Sequence, residues 1–164
     1  MISITRESIE LAEDIVMETN GTLNEVVIFP TFTALESVAD AIDGKHVGYG
    51  AQDLHWEDAG AYTGAISGAM IADICAEYVM VGHSERRALF GDNEAVVAKK
   101  MVAAYRNGLK PMLCVGENLE EREAGKTARK ISMQLWTHYL EQQHWVILEN
   151  IFRIMTRNIK GFLA

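Results

Sequence analysis

The chain has 164 residues, 49% hydrophobic and 23% charged, with a mean hydropathy of +0.00, within the ordinary range for a globular domain. Its net charge of −8 argues against a nucleic-acid surface, which needs a basic patch to displace counterions. Two cysteines are too few for the disulfide framework of a small secreted protein, and no apolar run reaches the roughly 20 residues of a membrane helix.

Taken in chain order, residues 5–19 place Ile9, Ala12, Ile15 and Val16 on one face, which predicts an amphipathic helix. Val26 to Phe29 is a short β-branched run stopped by Pro30 and reads as a buried strand. Thr33 and Glu36 have capping-box spacing for a helix running to about Ile42. Val47 to Ala51 is a weaker strand, because two glycines lower its propensity. A loop from Trp56 to Gly64 follows, and Ser67 then caps a helix carrying Met70, Ile71 and Ile74. Tyr78 to Val81 is a buried strand ending at Gly82-His83. Asp92 is expected to cap the next helix, which holds Val96, Val97 and Val102 and closes at Asn107-Gly108. Pro111 to Val115 is a further strand, ending at Gly116-Glu117.

Short apolar strands alternating with amphipathic helices predict βαβ units and a parallel sheet. Gln52, His83 and Glu117 would then all open onto the carboxyl edge, where α/β sheets and barrels bind ligands. The composition breaks near residue 127. Residues 1–127 carry a net charge of −11 and 12 of the 13 glycines; residues 128–164 carry +3 and one glycine. Ile131, Leu135, Tyr139, Ile147, Ile151, Ile154 and Met155 predict one or two helices in this tail.

His83 is the main candidate for chemistry, because it follows a buried strand and opens the polar run His-Ser-Glu-Arg-Arg. Arg86 and Arg87 read as solvated charges, one of them pairing with Glu85. Gly125-Lys126-Thr127 resembles the end of a phosphate-binding loop. The required glycine five positions earlier is replaced by Glu120, so a solvated acidic turn is the better reading. His46, His55, His138 and His144 show no ligand spacing, and no metal site is expected. Cys75 and Cys114 each stand between apolar neighbours, which predicts buried thiols in a reducing compartment. The N-terminus has no apolar signal core, so the expected location is cytoplasmic.

Five motifs occur in order. They are Gly50-Ala51-Gln52-Asp53, Trp56 to Gly64 (WEDAGAYTG), Tyr78 to Arg87 (YVMVGHSERR), Leu113 to Glu117 (LCVGE), and Leu119 to Thr127 (LEEREAGKT). Together, over about residues 5–127, they closely resemble the triosephosphate isomerase family. The resemblance implies an incomplete (β/α)8 TIM barrel, about strands 2–5 with their helices, followed by a divergent helical tail at residues 128–164. It also implies interconversion of dihydroxyacetone phosphate and glyceraldehyde 3-phosphate, a triose phosphate substrate, no cofactor and a homodimer.

By the same resemblance His83 is the electrophile, a neutral imidazole of the kind this family is known to use. Ser84, Glu85, Cys114 and Glu117 resemble supporting positions around it. Tyr62, Thr63 and Gly64 resemble the loop that reaches into the neighbouring subunit, although Ala65 stands where the family usually has an acidic residue. The family's substrate-binding lysine strand has no counterpart, and residues 128–164 match neither its catalytic glutamate nor its lid. Glu149 lies near where a sixth strand is expected but lacks the family's surroundings, and is not assigned as the base. The expectation is a partial isomerase chain, inactive alone. The alternative is a non-catalytic fragment or interaction module from a truncated or misread gene.

Overall fold

A computed structural model describes residues 4–140, with side chains to residue 135. Ile147, Glu149, Ile151, Ile154 and Met155 therefore lie outside the described residues, as do the side chains of His138 and Tyr139. The elements alternate as expected: α1 (Thr5–Glu18), β1 (Val26–Ile28), α2 (Phe32–Ala41), β2 (Val47–Ala51), α3 (Gly68–Asp73) and β3 (Tyr78–Val81). They continue with α4 (Ser84–Leu89), α5 (Glu94–Arg106), β4 (Lys110–Leu113), α6 (Leu119–Glu123) and α7 (Thr127–Leu140).

Among the described residues, four strands form one parallel sheet in the order β1-β2-β3-β4. Val26 pairs with Val47, Gly50 with Tyr78, and Tyr78 with Lys110, so sequential neighbours lie side by side as in a barrel wall. The architecture is a curled half-barrel, an incomplete (β/α)8 fold. Gly50 sets how closely β2 approaches β3. A Cβ there would stand 2.4 Å from the Tyr78 carbonyl oxygen, so only glycine admits the contact.

Two apolar clusters hold the helices to the sheet. Ala12 of α1 and Ala34 and Val38 of α2 bury against Val47, with Ile9, Ile15 and Val16 packed around them. Leu35, Ile71, Val79, Val81, Val97 and Met101 form the larger cluster between α5 and the centre of the sheet. α7 continues this layer. Its Gln134 is buried, and Oε1 accepts the Gly116 N–H at 2.9 Å, pinning the segment after β4.

Several local expectations need correction. β1 is only half-buried, because among the described residues it is an edge strand with one neighbour. β4 starts at Lys110 and stops at Leu113, and it too lies on an edge among the described residues. α2 begins at Phe32 with Thr31 at the N-cap position, so Thr33 is already inside the helix and makes no cap. Ser67 does cap α3, accepting the Met70 N–H at 3.3 Å. Asn93, one residue after the expected Asp92, caps α5 by accepting from Val96 N at 3.0 Å.

Cys75 is exposed, and Cys114 is only half-buried. Cys75 follows α3 at φ +57, a left-handed conformation that disfavours a Cβ. Cys75→Gly is therefore expected to stabilise the fold by about 1 kcal/mol, measured by denaturant unfolding. A destabilisation of similar size would show that the thiol makes a compensating contact.

Candidate active site

Because the strands are parallel, β2, β3 and β4 deliver Gln52, Gly82-His83 and Cys114 to Glu117 to the same edge of the sheet. Gln52 donates from Nε2 to the Phe29 carbonyl at 2.8 Å and so ties the ends of β1 and β2.

The chain leaves β3 through Gly82 at φ +72 and turns at once into α4. His83 takes the N-cap position, and its Nδ1 accepts the Glu85 N–H at 3.4 Å. A neutral imidazole whose Nδ1 accepts a hydrogen bond keeps its proton on Nε2. The side chain is 39% exposed, which leaves that donor open to a ligand. The Glu85 carboxylate lies 3.8 Å from Nδ1, and Ser84 is exposed at the first position of the helix.

Cys114 joins the edge through its backbone. Its N–H donates to the Val81 carbonyl at 2.9 Å, and its carbonyl accepts from Arg87 Nη2 at 3.3 Å. Burial pushes its thiol above the ordinary range, against the pull of Arg87. Glu117 accepts from Arg122 Nε at 2.8 Å and from Thr127 Oγ1 at 3.3 Å. The Arg122 hydrogen bond is the main reason its carboxyl lies below the usual range.

A depressed carboxylate contributes stability that is present above its unfolded value and is lost as pH falls through the folded one. Arg122→Gln should therefore raise the Glu117 midpoint toward its ordinary value and lessen the acid sensitivity. Carboxyl ¹³C titration checks this, and an unmoved midpoint would contradict it.

The loop from His55 to Ile66 is closed at its neck, where His55 N donates to the Ile66 carbonyl at 2.7 Å. The His55 ring stacks on Trp56 and packs against Tyr62, each at 4.3 Å between centroids. The tip turns where Ala65 N donates to Tyr62 O at 2.9 Å, with Gly64 at φ +84. Tyr62 and Thr63 are exposed at this tip.

Arg86, on the helix that His83 caps, belongs to a charge cluster that the sequence did not predict. Lys100, 3% exposed, donates to Asp53 Oδ1 and Asp92 Oδ2, both at 2.7 Å. Arg86 Nε reaches Asp53 at 2.8 Å and Asp92 at 3.0 Å. Burial pushes the Asp53 carboxyl up, opposed by Lys100 and Arg86. Arg87 pairs with Glu94 at 2.7 Å. Neither arginine is the solvated charge expected from the sequence, and neither pairs with Glu85. One signal was available: Lys100 falls in the apolar stripe of α5 with Val97, Met101 and Ala104, where a lysine needs buried carboxylates.

A cavity of about 340 Å³ adjoins the cluster, lined by Phe32, Asp53, Trp56, Ile66, Arg86 and Phe90 among others. A larger groove of about 550 Å³ lies between α1 and α2 near Lys45 and His46. Those residues precede β2, so the groove sits toward the amino edge, away from His83.

The sequence model of the family described as triosephosphate isomerase matches residues 2–151. The triosephosphate isomerase of Moorella thermoacetica is 53% identical over 111 residues, covering 68% of this chain and 45% of that protein. The enzyme of Alkaliphilus oremlandii is 45% identical over 135 residues, covering 82% and 54%. A crystal structure of triosephosphate isomerase from Bartonella henselae superposes with a TM-score of 0.77 at 35% identity, covering 84% of this chain and 58% of that one. The chain spans about half the length of the curated relatives it matches. With the half-barrel and the strand-end His83 in place, these matches show that the chain belongs to the triosephosphate isomerase family.

Proposed function

We propose that this chain supplies the electrophilic half of a triose-phosphate isomerase site. Taking a proton from carbon beside a carbonyl drives negative charge onto the carbonyl oxygen, and a donor already aimed there stabilises the enediolate. His83 is that donor, through Nε2–H, toward dihydroxyacetone phosphate or glyceraldehyde 3-phosphate. The observation that supports the reading is the Glu85 N–H bond to His83 Nδ1, which in a neutral ring leaves the proton on Nε2.

Ser84 and Glu85 shape the turn that carries His83, and Cys114 and Glu117 support the same edge from β4. Tyr62, Thr63 and Gly64 form the contact loop of a homodimer. No cofactor enters this chemistry, and the compartment is the cytoplasm. Among the described residues, no helix is long and apolar enough to cross a membrane. The proposed boundary between the partial barrel and the divergent tail lies near residue 127, where the charge changes sign.

The proton transfer also needs a base on carbon, a lysine at the substrate and a lid. The resemblance gives none of them a counterpart in this sequence. Glu149 falls inside the span that the family model matches, yet outside the described residues. Alone, the 164-residue chain is therefore expected to turn over substrate several powers of ten more slowly than a whole enzyme.

The test is completion of the barrel. Joining to this chain the N-terminal strand and C-terminal half of the Moorella relative should restore isomerase turnover. A folded chimera without turnover would sink the reading. The charge break at residue 127 favours a second reading, a non-catalytic product of a truncated or misread gene. Translating the flanking DNA in all frames should then reveal the lysine strand and the base-and-lid segment, and finding neither removes that explanation.

A further inference from the structure

We propose that Arg87 is a positioning residue for His83, holding the turn that fixes which imidazole nitrogen donates. The inference rests on the electrophile reading above and extends it to a residue that reading does not use.

Arg87 lies one helical turn after His83 and is 17% exposed. Its guanidinium spends donors on three separate segments. Nε donates to the Gly82 carbonyl at 2.6 Å, in the peptide immediately before His83. Nη2 donates to the Cys114 carbonyl at 3.3 Å, just past β4. Nη1 donates to Glu94 Oε1 at 2.7 Å, at the start of α5. One planar fork thus joins the end of β3, the end of β4 and the first turn of α5.

The backbone is shaped to admit it. A Cβ on Gly82 would stand 2.8 Å from Arg87 Nη2 and 3.1 Å from Val97, so the guanidinium occupies the space that a side chain at position 82 would need. Gly82 sits at φ +72, where the chain reverses from strand to helix, and a carbonyl held there orients the next residue. That residue is His83, whose Nδ1 must meet the Glu85 N–H to keep its proton on Nε2. Loosening the Gly82 carbonyl frees the turn, weakens that contact and lets the two tautomers mix. A lysine retains the charge but lacks the fork that serves three acceptors at once.

The experiment follows the imidazole nitrogens of His83 by ¹⁵N NMR in the full 164-residue chain at a pH where the ring is neutral, with His83→Gln assigning the signals. Wild type should show a single Nε2–H tautomer. In Arg87→Lys the share of the other tautomer should rise about fivefold, the change expected from losing one hydrogen bond of ordinary strength. Glu94→Gln weakens the anchor of the fork without touching the carbonyl contacts and should give a smaller rise. Arg106→Lys, which disturbs the remote pair with Asp58, should give none.

An Arg87→Lys chain that folds with His83 unmoved overturns the proposal. If Arg87→Lys does not fold, an unmoved signal in Glu94→Gln overturns it instead. Mixed tautomers already present in wild type would refute the electrophile reading on which the proposal stands, which separates the two failures.

Discussion

In the completed barrel, His83→Gln is expected to lower kcat by about 10²–10³-fold, the usual cost of removing one fixed donor from a developing oxyanion. KM should change much less, because the donor acts on charge that forms only as the proton leaves carbon. The turn explains why glutamine is a poor replacement. His83 is held by its own Nδ1 against Glu85 N, which fixes the direction of Nε2–H, and the glutamine amide has no equivalent second anchor. A coupled assay across a range of glyceraldehyde 3-phosphate concentrations reads both constants. A loss confined to KM would show that His83 binds substrate without stabilising the enediolate.

Lys100→Met should destabilise the chain by about 3–5 kcal/mol at neutral pH, enough to threaten the fold of a marginally stable half-barrel. Lys100 is 3% exposed and touches both Asp53 and Asp92, so its removal leaves two buried carboxylates sharing Arg86. Methionine fills most of the volume, which makes the loss electrostatic rather than a cavity effect. The sign with pH follows from the chemistry. Burial already pushes the Asp53 carboxyl up against the pull of Lys100, so losing the cation raises it further, and protonation relieves the repulsion as pH falls toward 5. Urea unfolding of both chains at pH 7 and pH 5 checks this. A penalty below about 1 kcal/mol at pH 7, or one that grows on acidification, would show that the cluster is not buried as described.

The alternation of strands and helices was legible because β-branched runs such as Tyr78 to Val81 and the amphipathic stripe of α1 carry their period locally. The edges were less legible. Val26 to Ile28 has the composition of a buried strand, yet its burial depends on a neighbour that no local pattern reports. The cap of α5 slipped by one residue because Asp92 and Asn93 are both good caps, and Asp92 is drawn into the cluster with Lys100 and Arg86. Cys75 read as buried from its neighbours, but it sits in the reversal after α3, where apolar flanks say nothing about exposure. At the carboxyl edge, the position of His83 was legible from the apolar strand before it. Arg87 was not, because its three partners lie at Gly82, Glu94 and Cys114 and meet only in the folded chain.

The most direct test is a coupled isomerase assay on the purified 164-residue chain beside the Moorella relative, each as wild type and with its electrophile replaced. The expected result is turnover several powers of ten below the relative, because the proposed reading gives this sequence the electrophile and finds no counterpart of the family's base, lysine or lid. Glu149→Gln belongs in the same assay, since Glu149 lies within the matched span 2–151. Turnover at the relative's level that survives His83→Gln would contradict the assignment of His83, and turnover abolished by Glu149→Gln would show that the chain carries its own base.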